Sequence, residues 1–130
     1  MSETPDPEVV GLATKVFDLA RRGDSEALAA YVDAGVPVNL TNDRGDSLLM
    51  LAAYHGHAPA VSALAARGAD ADRANDRGQT PLAGAVFKGE REVIDALLAA
   101  GADPSAGTPS AVDTARMFGK GDLLELFGAR

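Results

Sequence analysis

The stretch Asn75-Asp76-Arg77-Gly78-Gln79-Thr80-Pro81-Leu82-Ala83-Gly84-Ala85 repeats a pattern that opens 33 residues earlier at Asn42-Asp43-Arg44-Gly45. The same step carries Ser47 to Thr80, Leu49 to Leu82, Ala52 to Ala85, Gly56 to Gly89 and Leu64 to Leu97. It also carries Gly68-Ala69-Asp70 to Gly101-Ala102-Asp103, and run backwards it takes Gly56 to Gly23 and Gly68 to Gly35. Self-similarity at this period is the mark of a stacked array, in which each unit buries its apolar face only against its neighbours.

Within a unit the order of residues predicts a turn, a short helix, a tight turn, a longer helix and a glycine stop. Thr80 suits the N-cap of a first helix, Pro81 suits the first turn, where a missing N–H costs nothing, and Ser47 takes the Thr80 role one unit earlier. Gly56 and Gly89 separate the two helices. In the second helix Val93, Ile94, Leu97 and Leu98 fall at i, i+1, i+4 and i+5, one face of a 3.6-residue helix. Gly35, Gly68 and Gly101 stand where a helix ends in a left-handed residue.

Thr80-Pro81-Leu82-Ala83-Gly84-Ala85, the Gly56-His57 pair and Gly68-Ala69-Asp70 resemble the ankyrin repeat, whose first helix carries T-P-L-H-x-A. The resemblance implies an all-α solenoid of about four stacked helix-turn-helix units joined by short β-turn or hairpin connections. The expected division is an acidic tail over 1–8, an N-terminal cap repeat over 9–41, full repeats over 42–74 and 75–107, and a shortened C-terminal cap over 108–130. In the last unit Ala115 matches Ala85 and Gly119 matches Gly89 at a step of 30. The family's histidine is replaced by Met50 and Ala83, which weakens the hydrogen-bond network that this histidine makes in ankyrin repeats. Gly84 inside a first helix costs about 1 kcal/mol relative to alanine.

A chain of 130 residues with 5% aromatic content forms one domain with a thin core built largely from small side chains. No run approaches the ~18 apolar residues needed to span a bilayer, and Met1 to Glu8 has neither the basic nor the apolar region of a secretory signal. Cysteine is absent, which excludes disulfides and thiolate metal sites and fits a reducing, cytoplasmic setting. The formal net charge of −7 points away from nucleic acid and towards a basic protein as partner, and it would serve solubility alone equally well.

The sequence offers no catalytic arrangement. His55 and His57 form an H-x-H pair, but no matched carboxylate or cysteine cluster joins them, so no metal is expected. Glycines never fall into a dinucleotide or P-loop spacing, no serine sits in a nucleophile elbow, and no cofactor is expected. Glu90/Glu92 and Asp70/Asp72 read as solvated surface.

The repeat register is more informative. In ankyrin arrays partners dock on the concave surface lined by hairpin tips and first-helix ends. The residues before the Gly56, Gly89 and Gly119 turns are Tyr54-His55, Phe87-Lys88 and Met117-Phe118, with Arg21-Arg22 in the first unit. Tyr54, Phe87 and Met117 thus form a ladder of large apolar side chains, with His55 and Lys88 beside it. Arg44, Asp46, Arg77 and Gln79 add a mixed-charge rim at the tips. Two alternatives stay open here. The large residues fold back over the small Ala83, Gly84 and Ala85, or Arg44 and Arg77 bridge aspartates between repeats. The function expected is a non-catalytic, monomeric adaptor or regulator that binds another protein, with no nucleic-acid or membrane partner. An acidic escort of a basic client and a self-associating structural protein are the alternatives.

Overall fold

Eight helices occupy residues 7–128, the range that the computed structural model describes. They are α1 (Pro7–Arg22), α2 (Ser25–Asp33), α3 (Leu48–Tyr54), α4 (Ala58–Ala65), α5 (Pro81–Lys88), α6 (Arg91–Ala99), α7 (Ala111–Met117) and α8 (Gly121–Leu126). Residues 1–6 of the acidic tail expected over 1–8 lie outside the described residues, and its last two, Pro7 and Glu8, open α1 instead. Extended pairing among the described residues is limited to two isolated bridges, Thr41 with Ser47 and Gly107 with Ser110, so the array is all-α.

The starts of α3, α5 and α7 follow from their hydroxyl residues. Ser47 Oγ accepts from the Met50 N–H at 3.0 Å, Thr80 Oγ1 from Ala83 at 3.2 Å and Ser110 Oγ from Asp113 at 3.0 Å. Each bond satisfies an N–H that has no partner inside the helix. The caps are 33 and then 30 residues apart, which locates the contraction in the connection after α6. The turn between paired helices is also repeated. After α5 the Gly89 N–H donates to the Val86 carbonyl at 3.1 Å and the Glu90 N–H to Ala85 at 3.0 Å, with Gly89 at φ 73°. This is the Schellman pattern, and it needs a left-handed residue that only glycine supplies without a Cβ penalty.

Helices α1, α3, α5 and α7 pack side by side as one layer, α2, α4 and α6 as a second, and α8 packs on α7. Between the layers lie Leu48, Leu49, Leu82 and Val86 from the first and Val61, Leu64, Val93, Ile94 and Leu97 from the second, all buried. Burying a side chain of this size contributes about 1.5–3 kcal/mol. Ala52, Ala53, Ala85 and Ala115 are fully buried as well, and their small volume lets neighbouring helices approach closely.

Hydrogen bonds between units repeat too. The Asp70 N–H donates to Asn39 Oδ1 at 2.8 Å, and one unit on the Asp103 N–H donates to Asp72 Oδ1 at 2.7 Å. The ends of α2 and α4 are joined by a two-pronged pair, with Arg67 Nε 2.9 Å and Nη2 3.2 Å from the Asp33 carboxylate. That hydrogen bond is the main reason the Asp33 carboxyl is held below its ordinary value of 3.8.

Candidate functional site

The connections that lead into α3 and α5 end in two matching turns. Asn42 Oδ1 accepts from the Arg44 and Asp46 N–H groups at 2.9 and 3.0 Å, and Asn75 Oδ1 accepts from Arg77 and Gln79 at 3.0 and 3.1 Å. An asparagine side chain standing in for backbone in this way explains why the pattern begins on Asn. The tips then stack: the Asp76 N–H donates to the Arg44 carbonyl at 3.0 Å, and the Thr108 N–H to Gly78 at 3.0 Å. Asn75 Nδ2 ties the units further, reaching Asp46 Oδ1 at 2.9 Å and Gln79 Oε1 at 3.0 Å. The aspartate bridge between repeats is therefore made by Asn75, and neither Arg44 nor Arg77 forms an ion pair among the described residues.

The helix ends beside these tips expose Tyr54 (41%), Phe87 (62%), Met117 (69%) and Phe118 (49%). The reading in which the large residues fold back holds in part for Tyr54. A Cβ on Gly84 would stand 3.9 Å from Tyr54 Cδ1 and 3.6 Å from Met50 Cε, so both side chains lie over the space that Gly84 leaves open. Phe87 and Phe118 meet edge to face, with centroids 5.7 Å apart. Tyr54 and His55 do likewise at 5.5 Å, and the Lys88 ammonium lies 4.7 Å from the Tyr54 ring centroid.

Two adjoining depressions result. A polar one of about 450 Å³ is lined by Arg21, Asn42, Asp43, Arg44, Asp46, Met50, Leu51, Tyr54, His55, Asn75, Arg77 and Gln79. An apolar one of about 270 Å³ is lined by Met50, Tyr54, Gln79, Ala83, Gly84, Phe87, Pro109, Thr114, Met117 and Phe118. They share Met50, Tyr54 and Gln79 and form one continuous groove. Of the candidate residues, Arg44, Asp46, Tyr54, His55, Arg77 and Gln79 come together in the polar part. Tyr54, Gln79, Phe87 and Met117 line the apolar part, and Lys88 touches the groove through Tyr54. Partial burial, and after it the neighbouring His57, Lys88 and Arg21, hold the His55 imidazole below its ordinary 6.5.

His57 stands apart from this groove. Its Nε2 lies 2.7 Å from the Arg21 carbonyl oxygen, to which the ring N–H donates, so it ties α4 to the end of α1. No cluster of three or more histidine or carboxylate groups among the described residues is arranged to hold a metal ion. No helix among the described residues is long and apolar enough to cross a membrane.

Residues 16–108 match the family described as ankyrin repeats (three copies), which is more than half of the chain. The chain belongs to the ankyrin-repeat family. An ankyrin repeat protein of Pseudomonas aeruginosa is 48% identical over 62 residues, which is 45% of this chain and 36% of that protein. The crystal structure of the human ASB11 ankyrin repeat domain is similar with a TM-score of 0.65 at 31% identity, over 68% of this chain and 40% of that one. The chain thus matches well under half the length of either relative. Ankyrin repeats are in general protein–protein interaction modules.

Several residues of the groove escape the candidate list drawn from the ankyrin register. Phe118 occupies the register of His55 and Lys88, one place after the ladder, and the step of 30 carries Lys88 to it. Arg21 holds the ladder position of the first unit. Met50 and Ala83 replace the ankyrin histidine, and with both side chains buried they make the groove floor apolar. Gly84 is legible in sequence only as a helix liability. Its role as a hollow depends on what the preceding repeat lays over it.

Proposed function

We propose that the chain is a non-catalytic protein-binding module, an adaptor or regulator, that docks a partner protein in the groove over α3, α5 and α7. The observation that carries this reading is the run of exposed large apolar side chains, Tyr54, Phe87, Met117 and Phe118, along one face of the array. Rigid aromatic side chains of this kind lose little conformational entropy on contact and make effective interface anchors. Their spacing is held by stacked repeats, so docking requires little reordering of the receptor. On this reading the protein acts as a monomer in the cytoplasm and contacts neither membrane nor nucleic acid.

The test is an affinity capture from native lysate with wild type and with Tyr54→Ala/Phe87→Ala, the fold of each checked by circular dichroism. A partner retained by wild type and lost by the folded double variant supports the groove. A partner that persists with the variant moves binding to another face.

A second reading, an acidic escort of a basic client, is favoured by the net charge of −7 and by the exposed carboxylates Glu26, Glu92, Asp95, Asp122 and Glu125 on the second helices. It predicts capture that is lost at high salt and unaffected by the ladder substitutions. Size that grows with concentration, measured by sedimentation, would instead favour self-association.

A further inference from the structure

We propose that the groove takes an extended acidic segment of the partner protein, with carboxylates on the Arg44 and Arg77 end and a large apolar side chain in the hollow beside Phe87. This rests on the protein-binding reading of the groove and specifies its ligand.

Charge complementarity carries the argument. The chain as a whole is acidic, with a formal net charge of −7, yet three arginines, Arg21, Arg44 and Arg77, line the polar depression against two carboxylates, Asp43 and Asp46, and only Arg21 is already paired, with Asp18 at 2.8 Å. Asp46 is also engaged within the fold, since its Oδ1 accepts from Asn75. Arg44 and Arg77 have no ion pair among the described residues, and Lys88 adds a further cation at the Tyr54 edge. A guanidinium presents its donors in a fixed fork that matches a carboxylate, so an arginine pair on stacked, hydrogen-bonded tips offers paired donors to acidic side chains.

The two depressions set the order of the ligand's features. They share Tyr54, so a segment lying along the groove meets the arginines on one side of Tyr54 and the apolar hollow on the other. The hollow, at about 270 Å³, falls just below the ~300–1,000 Å³ of ordinary small-molecule sites and suits side chains of a peptide.

The test is selection of a random dodecapeptide phage library on the full chain, followed by fluorescence anisotropy with the enriched peptides as synthetic probes. The expected peptides carry Asp or Glu within a few residues of Phe, Leu, Met or Trp. Their affinity should fall about tenfold from low to high NaCl, and by a similar factor when Glu is changed to Gln in the peptide, a comparison that needs no protein variant. Arg44→Ala/Arg77→Ala, checked by circular dichroism, should weaken them equally. Neutral or basic peptides that still require Tyr54 and Phe87 would overturn the acidic ligand and leave the groove standing. Peptides indifferent to both double variants would overturn the groove as well. Failure to enrich any sequence would overturn docking of a linear segment, while capture of a folded partner through the ladder would survive it.

Discussion

The Lys88 ammonium stands 4.7 Å from the centroid of the Tyr54 ring, so a cation of one repeat caps the exposed aromatic of the repeat before it. The same diagonal recurs one unit on, where Phe118 meets Phe87 edge to face. In each case the ladder residue leans on the residue just after its own equivalent in the next unit. Replacing Lys88 by Met keeps an apolar stem and removes the charge. Urea unfolding followed by circular dichroism should then show a loss of no more than about 1 kcal/mol, the range of an exposed cation–π contact.

Gly84→Ala separates stability from binding. The added Cβ would meet Met50 and Tyr54 at 3.6 and 3.9 Å, ordinary contact distances, in a helix where glycine is unfavourable. The variant should gain about 0.5–1 kcal/mol in urea unfolding. It should also bind a groove ligand more weakly, because the methyl partly fills the hollow. Lower stability would show that the packing of Met50 and Tyr54 over Gly84 is closer than these distances.

Gly23→Ala should be damaging for two separable reasons. Gly23 has φ 73°, where a side chain costs about 1–2 kcal/mol, and its Cβ would overlap the His57 ring. The expected loss in urea unfolding is about 2 kcal/mol or more. Adding His57→Ala should remove the overlap with the ring and recover only part of the loss, since the backbone penalty and the 2.9 Å approach to the Cβ of residue 57 stay. Full recovery would show that the conformation at Gly23 costs nothing.

Two groups give the stability a pH dependence of known sign. His55 is held below its ordinary 6.5, so the unfolded chain takes up its proton first on acidification. Stability should fall as pH drops through 6.5, and His55→Asn should flatten that part of the profile. Asp33 is held below 3.8 by Arg67, so its contribution is present above that value and lost as pH falls further through its lowered value. Urea midpoints of wild type and Asp33→Asn should therefore differ at neutral pH and converge in acid.

The repeat period, the N-caps Ser47 and Thr80, the glycine stops and the apolar face of the second helices were all legible in the chain, because each is a local rule of helix chemistry repeated in register. The same register singled out Tyr54, Phe87 and Met117, since equivalent positions in stacked units must fall on one face. Other features depend on contacts between units. Asp46 accepts a bond from Asn75 rather than from an arginine, which leaves Arg44 and Arg77 without ion pairs among the described residues. Gly84 became the floor of a hollow only because Met50 and Tyr54 reach across from the repeat before it. A residue's own sequence neighbourhood sets helix starts and stops. The direction of a long side chain, and the charge it finds there, is set by residues about one repeat away, which only the stacking of the units brings within reach.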